Sequence, residues 1–375
     1  MQVSGPWLEQ AQPVLQLLGK AGYQALVVGG CVRNSLMDVP VSDVDIATDA
    51  RPETVIALAE AGGIRAVPTG LVHGTVTLVH DGQGYEVTTF RRDVETHGRH
   101  ATIAFSTDMA DDAARRDFTM NAIYAQADGQ ILDPLGGLAD VQARRVRFVG
   151  DATARIAEDY LRILRFFRFQ AQYGNPDAGI DAEALAACAA GVDGIAQLSA
   201  ERIGAEMRKL LTAPDPAPAV AAMAQSGVLA QVLPGADAAI LARLVHLEDG
   251  IVPVALRRFL ALGGQTDRLR LTRREALGLA RAYAALGSLT PPAELGYRLG
   301  ADLARDVVLV RAALLEDVPP AGWQAEVARG AAASFPLRAR DLPHLQGPAL
   351  GTALKAYEAR WIASDFRLSK AELLT

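Results

Sequence analysis

The chain has 375 residues, 50% of them hydrophobic and 21% charged, with a formal net charge of -6. That length is too great for one ordinary core and calls for two to four domains. No window approaches the roughly eighteen unbroken apolar residues of a membrane span, and the acidic balance argues against a protein that coats nucleic acid indiscriminately.

The opening stretch, "MQVSGPWLEQAQPVLQLLGKAGYQ", lacks a basic segment followed by an apolar run, so no signal peptide is evident. Next, "QALVVGG" reads as a buried strand ending in a turn, and "VDIAT" as another strand. "PETVIALAEAGG", with Pro52 in its first turn and a Gly-Gly stop, carries a helix signature. "HGTVTLVH" and "YEVTTFR" are β-branched runs separated by "DGQG", a hairpin signal. "DAARRDFTMNAIYAQ" is expected to be helical and "RRVRFVG" to be a last strand. Beyond Gly150 strand signals almost vanish. "ATARIAEDYLRILRFFRFQAQYG" has apolar residues at helical spacing up to "YGNPD". "SAERIGAEMRKLLTA" starts at Ser199 as N-cap and sets Arg202 and Glu206 one turn apart, where they can pair. The pattern predicts an α+β head followed by a long all-helical body.

The two cysteines, Cys31 and Cys188, have no metal or redox spacing, so a soluble cytoplasmic protein without a membrane partner is expected. Arginines gather in two islands, Arg144–Arg168 and Arg257–Arg281, which suggests local anion-binding surfaces within an acidic chain. The same arginine and alanine richness also follows from GC-rich coding.

Two short stretches carry candidate chemistry. In "SDVDIAT", Asp43 and Asp45 are one residue apart, which on a strand puts both carboxylates on one face. Such a pair offers hard oxygen ligands to Mg²⁺, and the bland alternative is two turn-capping aspartates. The Gly29-Gly30 turn after a strand lets backbone N–H groups approach phosphate oxygens, with Arg33 one turn into the following helix. Glu86 is the candidate third carboxylate, and Asp93 competes with it.

"VVGGCVRNSLMD…SDVDIAT", "TGLVHGTVT", "TTFRRD", "RRDFTMNAIY" and "AEDYLRILRFFRF" occur in the same order in class II tRNA nucleotidyltransferases and bacterial poly(A) polymerases. The chain resembles that family over most of its length. The resemblance implies a polymerase-β-like head over residues 1–150, a neck over 151–212 with a base-reading helix, a body over 213–300 and a tRNA-binding tail over 301–375. It also implies triphosphate contacts from Gly29, Gly30 and Arg33, and a metal pair in Asp43 and Asp45. Ribose reading falls to Arg115, Arg116 and Asp117, ordered by Asn121. One departure is Asn34, where the family usually has an aspartate, which reopens how Arg33 is anchored.

In "EDYLRILRFFR", Asp159 and Arg162 stand three apart, as do Arg162, Arg165 and Arg168. On residues alone a surface ion pair is the simpler account of Asp159 and Arg162. The resemblance instead implies a protein template in which Asp159 and Arg162 read the base of CTP or ATP. Arg165 and Arg168 would support them or meet the triphosphate. "VETHGRHATIAFSTDMADDA" resembles the family's flexible loop, which assists the switch from CTP to ATP. The implied activity is addition of CCA to the 3′ end of tRNA. A poly(A) polymerase, a CC-adding or A-adding specialist, and an inactive RNA-binding protein are the alternatives.

Overall fold

The structure, a computed structural model, describes residues 1–97 and 100–375, apart from the side chains of 93–103. It divides into two units, Met1–Val232 and Leu233–Thr375. Among the described residues no helix is long and apolar enough to cross a membrane.

The first unit opens with α1 (Pro6–Lys20), whose Leu8, Ala11, Val14, Leu15 and Leu18 bury one helical stripe. Strand β1 (Ala25–Val28) leads into α2 (Gly30–Leu36), and β2 (Asp45–Thr48) into α3 (Pro52–Ala61). Strands β3 (Arg65–Gly70), β4 (Thr75–His80) and β5 (Gln83–Thr89) follow. The expected hairpin joins β4 to β5 through Asp81 and Gly82, both at positive φ, as a two-residue turn of the primed kind requires. A separate antiparallel ribbon pairs β6 (Arg91–His97) with β7 (His100–Phe105). After it come α4 (Met109–Ala114), the short strands β8 (Tyr124–Ala125) and β9 (Ile131–Leu132), and α5 (Gly137–Gln142).

Among the described residues, seven strands make one mixed sheet in the order β3-β4-β5-β2-β1-β8-β9, in which β2 and β5 run parallel. Val76 and Leu78 of β4 and Tyr85 and Val87 of β5 bury one face, which α1 and α3 cover. The other face carries Thr75, Thr77, Glu86 and Thr88, then turns apolar at Leu26, Val28 and Ala47, packed with Phe90, Ala113 and Tyr124.

Helices complete the unit: α6 (Ala152–Glu158), α7 (Leu161–Tyr173), α8 (Ala182–Ala190), α9 (Ala200–Leu211), α10 (Ala217–Gln225) and α11 (Val228–Val232). Helix α7 is bound to the sheet region by an aromatic cluster. Phe118 lies 5.0 Å from Phe148 and 4.8 Å from Phe169, and Phe148 stacks on Phe166 at 5.6 Å. The α+β head and the helical character beyond Gly150 are therefore as expected.

Three local expectations are corrected. The "RRVRFVG" segment is not a strand; it touches its neighbour through the single bridge Phe118–Phe148. Arg145 and Arg147 both turn onto the buried carboxylate of Asp140, at 2.7 and 2.9 Å, and that pull replaces strand pairing. The helix through "DAARRDFTMNAIYAQ" stops at Ala114, because Asp117 accepts the Phe118 N–H at 2.9 Å and folds the chain into a turn. The helix expected to run unbroken through "EDYLRIL" is two helices. Asp159 is extended (φ -155°, ψ 105°) and accepts the Leu161 N–H at 3.1 Å, restarting the chain as α7.

The second unit contains α12 (Ala239–Leu247), α13 (Ala255–Leu262), α14 (Arg273–Leu286), α15 (Pro292–Leu299), α16 (Ala301–Leu315), α17 (Trp323–Ala332), α18 (Gly347–Ala363) and α19 (Lys370–Leu374). One core draws on Leu244, Leu260, Leu279, Leu295, Val307 and Val327, and a smaller one on Leu337, Trp361 and Leu373. Helices α15 and α17 meet backbone to backbone. A Cβ on Gly296 would lie 2.2 Å from the Val327 carbonyl oxygen, and one on Gly330 only 1.7 Å from that of Ala293.

Candidate active site

The antiparallel pairing of β1 with β2 sets Val28 opposite Asp45, so the turn that leaves β1 and the carboxylates that enter β2 share one edge of the sheet. Asp43 lies just before β2 rather than on it, yet the alternation survives: Val44 is buried between exposed Asp43 and Asp45. Glu86 is the residue opposite Asp45 on parallel β5, about 4.8 Å away across such a ladder. The competitor Asp93 sits on the separate ribbon, its side chain outside the described residues. Although the residue keeps an exposed edge, the protein packed around the Asp45 carboxyl pushes it above the usual carboxylate range, first by loss of solvent and then by the charges of Glu86 and Asp43, against which Arg116 acts. Neighbouring carboxylates that raise the cost of one another's charge are the kind of hard oxygen set that a divalent cation relieves. Among the described residues no three His, Cys, Asp or Glu side chains make a ready-built cage.

Gly29 has φ +73°, and a Cβ there would press within 3.3 Å of Arg116 Nη1. Only glycine meets both demands. Helix α2 then carries Arg33, 5% exposed. Its Nε and Nη2 donate to Asn34 Oδ1 at 3.1 and 2.8 Å, Nη2 also donates to the Tyr173 hydroxyl at 2.9 Å, and Nη1 donates to Asn121 Oδ1. The Tyr173 ring lies 4.0 Å from the guanidinium carbon.

The Arg-Arg-Asp stretch is held by buried acids. Asp112, 1% exposed, accepts from Arg115 Nε at 3.1 Å, from Arg116 Nη2 at 2.9 Å and from the Tyr124 hydroxyl at 2.8 Å. Asp117 pairs with Arg165 at 2.5 Å and accepts from Asn121 Nδ2 at 2.9 Å. Burial opposes its charge, but Arg165, Asn121 and the Phe118 N–H prevail and hold its carboxyl down at about 2.

The side chains of the two residues expected to read a base do not pair; Asp159 and Arg162 meet only through the backbone, where the Arg162 N–H donates to the Asp159 carbonyl at 3.0 Å. Arg162 turns to Glu158 and donates to the Arg155 carbonyl at 2.8 Å, while Asp159 accepts from Arg202 at 2.7 Å. The helix break at Asp159 is the reason, since it points the two side chains along different elements. Arg202 is thereby spent on Asp159 rather than on Glu206, which takes Arg168 at 2.6 Å.

The arginine islands are also corrected. Arg145, Arg147, Arg155, Arg162, Arg165 and Arg168 all have carboxylate partners, Arg145 and Arg147 from the surface, while Arg144 of the same island is exposed. In the second unit Arg257 and Arg258 are buried on Glu248, at 2.5 and 2.8 Å. Arg273, Arg274 and Arg281 remain exposed on α14.

Within the segment expected to act as a flexible loop, residues 98 and 99 lie outside the described residues. The flanking stretches form β6, β7 and α4.

Residues 25–147 match the family described as "Poly A polymerase head domain", and 179–240 match "Probable RNA and SrmB- binding site of polymerase A". Over residues 25–147 the chain carries a poly A polymerase head domain. It is 41% identical over 232 residues to the CCA-adding enzyme of Geobacillus thermodenitrificans, covering 61% of this chain and 55% of that protein. It is 42% identical over 205 residues to the mitochondrial CCA tRNA nucleotidyltransferase 1 of Mus musculus, covering 54% and 47%. The chain thus spans about half the length of these curated relatives. Its fold superposes on the Bacillus stearothermophilus CCA-adding enzyme in complex with CTP with a TM-score of 0.75 at 29% identity, over 96% of this chain and 94% of that one. The Thermotoga maritima CCA-adding enzyme complexed with tRNA_CCA shares the fold, at TM-score 0.69 and 17% identity over 100% and 98%.

The poly A polymerase head explains why the carboxylates and the glycine turn share a sheet edge, but several residues around them were not anticipated. Asp112 lies three and four residues before Arg115 and Arg116, and Glu158 four before Arg162, spacings that signal helical ion pairs. Tyr173 and the Asp159–Arg202 pair had no such signal, because their partners are distant in sequence.

Proposed function

We propose that this chain is a template-independent tRNA nucleotidyltransferase that adds CCA from CTP and ATP. The observation that carries the reading is the joint placement of Asp43, Asp45 and Glu86 beside the Gly29-Gly30 turn and the buried Arg33. In this reading the tRNA 3′-hydroxyl oxygen bonds to the α-phosphorus, the bond from that phosphorus to the bridging oxygen breaks, and pyrophosphate leaves. A Mg²⁺ ion held by Asp43 and Asp45 would supply charge neutralisation and a more acidic 3′-hydroxyl. The hydroxyl proton passes to solvent water, and the negative potential of Glu86 favours its departure. The Gly29 and Gly30 backbone and Arg33 hold the phosphates, and Arg116, stiffened by Asp112, stands between turn and carboxylates. Arg115, Asp117 and Asn121 order the ribose pocket, with Arg165 and Arg168 in support.

Asp159 and Arg162 are the base-reading pair, parked on Arg202 and Glu158 until a nucleotide supplies the edge that satisfies both. A base with the wrong donor pattern would leave those groups unpaired, which is how such a site discriminates. The finer division into neck to residue 212, body to 300 and tail beyond is part of this proposal, as is action in the cytoplasm. So is tRNA contact through the exposed arginines of α14 and through the tail.

The test offers tRNA transcripts ending before CCA, after C and after CC to the purified chain with Mg²⁺ and CTP, ATP or both. Products are sized at single-nucleotide resolution. Addition that stops at CCA supports the proposal. Arrest at CC, or A added only to a CC end, makes it a specialist, and a long oligo(A) ladder on unrelated RNA makes it a poly(A) polymerase.

A further inference from the structure

Arg155, on α6, is 8% exposed, and its guanidinium joins two parts of the candidate site. Its Nη2 donates to the backbone carbonyls of Arg115 and Arg116, the latter at 2.8 Å. Its Nη1 donates to Glu158 Oε2 at 2.5 Å, and that same oxygen also accepts from Arg162 Nη1 on α7. Arg162 donates in turn to the Arg155 carbonyl at 2.8 Å and to that of Arg115 at 3.4 Å. Arg155 and Arg162 therefore share one carboxylate oxygen and one backbone carbonyl. A planar fork that grips two successive carbonyls fixes both the place and the direction of that backbone, which a single ammonium cannot do. Such a clamp sets a distance, from the Arg115–Arg116 turn to the side chain of Arg162.

We propose that Arg155 is a positioning residue that sets the span between the Arg115–Arg116 turn and Arg162, so that one nucleotide satisfies the ribose pocket and the base reader together. The inference rests on reading Asp159 and Arg162 as the base-reading pair. A nucleotide with the right base is held at both ends, and a misplacement of about 1 Å between those ends costs it rate. A nucleotide whose base Arg162 does not recognise is held at one end only and is indifferent to the span. Arg155 thus acts on selection without touching the nucleotide.

The experiment measures kcat and KM for CTP and UTP on a tRNA transcript ending before CCA, in a double-mutant cycle of Arg155→Lys and Arg162→Ala in the full chain, with melting curves alongside. Lysine keeps a charge beside Glu158 but cannot grip two carbonyls. Arg155→Lys lowers the CTP-over-UTP ratio of kcat/KM about tenfold, with the loss falling on kcat for CTP. Once Arg162 is replaced, the same change moves that ratio less than about twofold, because the two side chains act as one unit. Equal losses for CTP and UTP, or the same fall in the ratio with and without the Arg162 side chain, give Arg155 a purely structural role and overturn the inference. Should Arg155→Lys not melt cooperatively, Glu158→Gln takes its place in the cycle, since Glu158 is the carboxylate on which the two guanidiniums meet. A fall in the ratio that depends on Arg162 then supports the inference, and an unchanged or additive ratio overturns it. An Arg162→Ala chain that discriminates like the native one removes the base reader and the inference with it. A native chain that adds no CTP removes the proposed function itself, and both fall together.

Discussion

Asp45 and Glu86 illustrate how a site stores interaction energy that only a ligand releases. The two residues are opposite each other across a parallel ladder, and the Glu86 charge adds to the cost of ionising Asp45. Asp45→Asn should therefore raise the melting temperature of the metal-free protein while lowering nucleotide incorporation by at least about 10³-fold, the scale of losing several kcal/mol of metal assistance. A melt in chelator and a single-turnover assay check both halves, and a variant that keeps near-normal turnover refutes the assignment. Asp117 behaves oppositely. Its carboxyl sits at about 2 in the fold against an ordinary 3.8, so its stabilising contribution is present above about pH 4 and is lost as pH falls toward 2. Asp117→Asn should flatten the acid limb of the stability curve, measured by denaturant titration between pH 2 and 5.

The break between α6 and α7 decides what the candidate reading pair can do. Because Asp159 leaves the helix, it reaches Arg202 on α9, while Arg162 stays one turn from Glu158. Arg202→Ala should free Asp159 and reduce discrimination of CTP over UTP by about tenfold, the value of one lost polar constraint, with tRNA binding retained. Competition assays with mixed nucleotides read this directly. Helix α7 keeps its place through Phe166 and its ring partners Phe118, Phe148 and Phe167. Phe166→Ala should cost about 3–5 kcal/mol by denaturant unfolding, as for other fully buried aromatic rings. In the second unit, Gly330→Ala forces a methyl group onto the Ala293 carbonyl and should cost about 1–3 kcal/mol.

The two units answer pH differently. In the second, burial lifts the Asp306 carboxyl to about 6, with Arg257 opposing and Asp302 and Glu248 adding to it. Between about pH 4 and 6 the folded carboxyl holds a proton that the unfolded chain has released. Stability therefore falls as pH rises through that window and stays lower above it. Asp306→Asn should remove that fall and raise the melting temperature at pH 8 more than at pH 4. Alternation and turn chemistry made the head legible. The β4–β5 hairpin was marked by "DGQG", the carboxylate pair by its spacing, and the helical remainder by periodicity.

What the sequence determined by itself was local: which residues alternate, where glycine must turn, and which carboxylates fall one residue apart, because those depend on backbone geometry within a few positions. Only the tertiary structure decided where the arginines go. Arg145 and Arg147 meet Asp140, Arg165 meets Asp117, and Arg257 and Arg258 meet Glu248, so these guanidiniums of the two islands are held in ion pairs, whereas Arg273, Arg274 and Arg281 stay exposed. A guanidinium's role depends on which carboxylate the fold carries to it. For Arg165 and Asp117 that partner lies 48 residues away in the chain, beyond the reach of any spacing rule. Arg33 likewise donates to residues far from it in the chain, Asn121 and Tyr173, which only the fold brings to it.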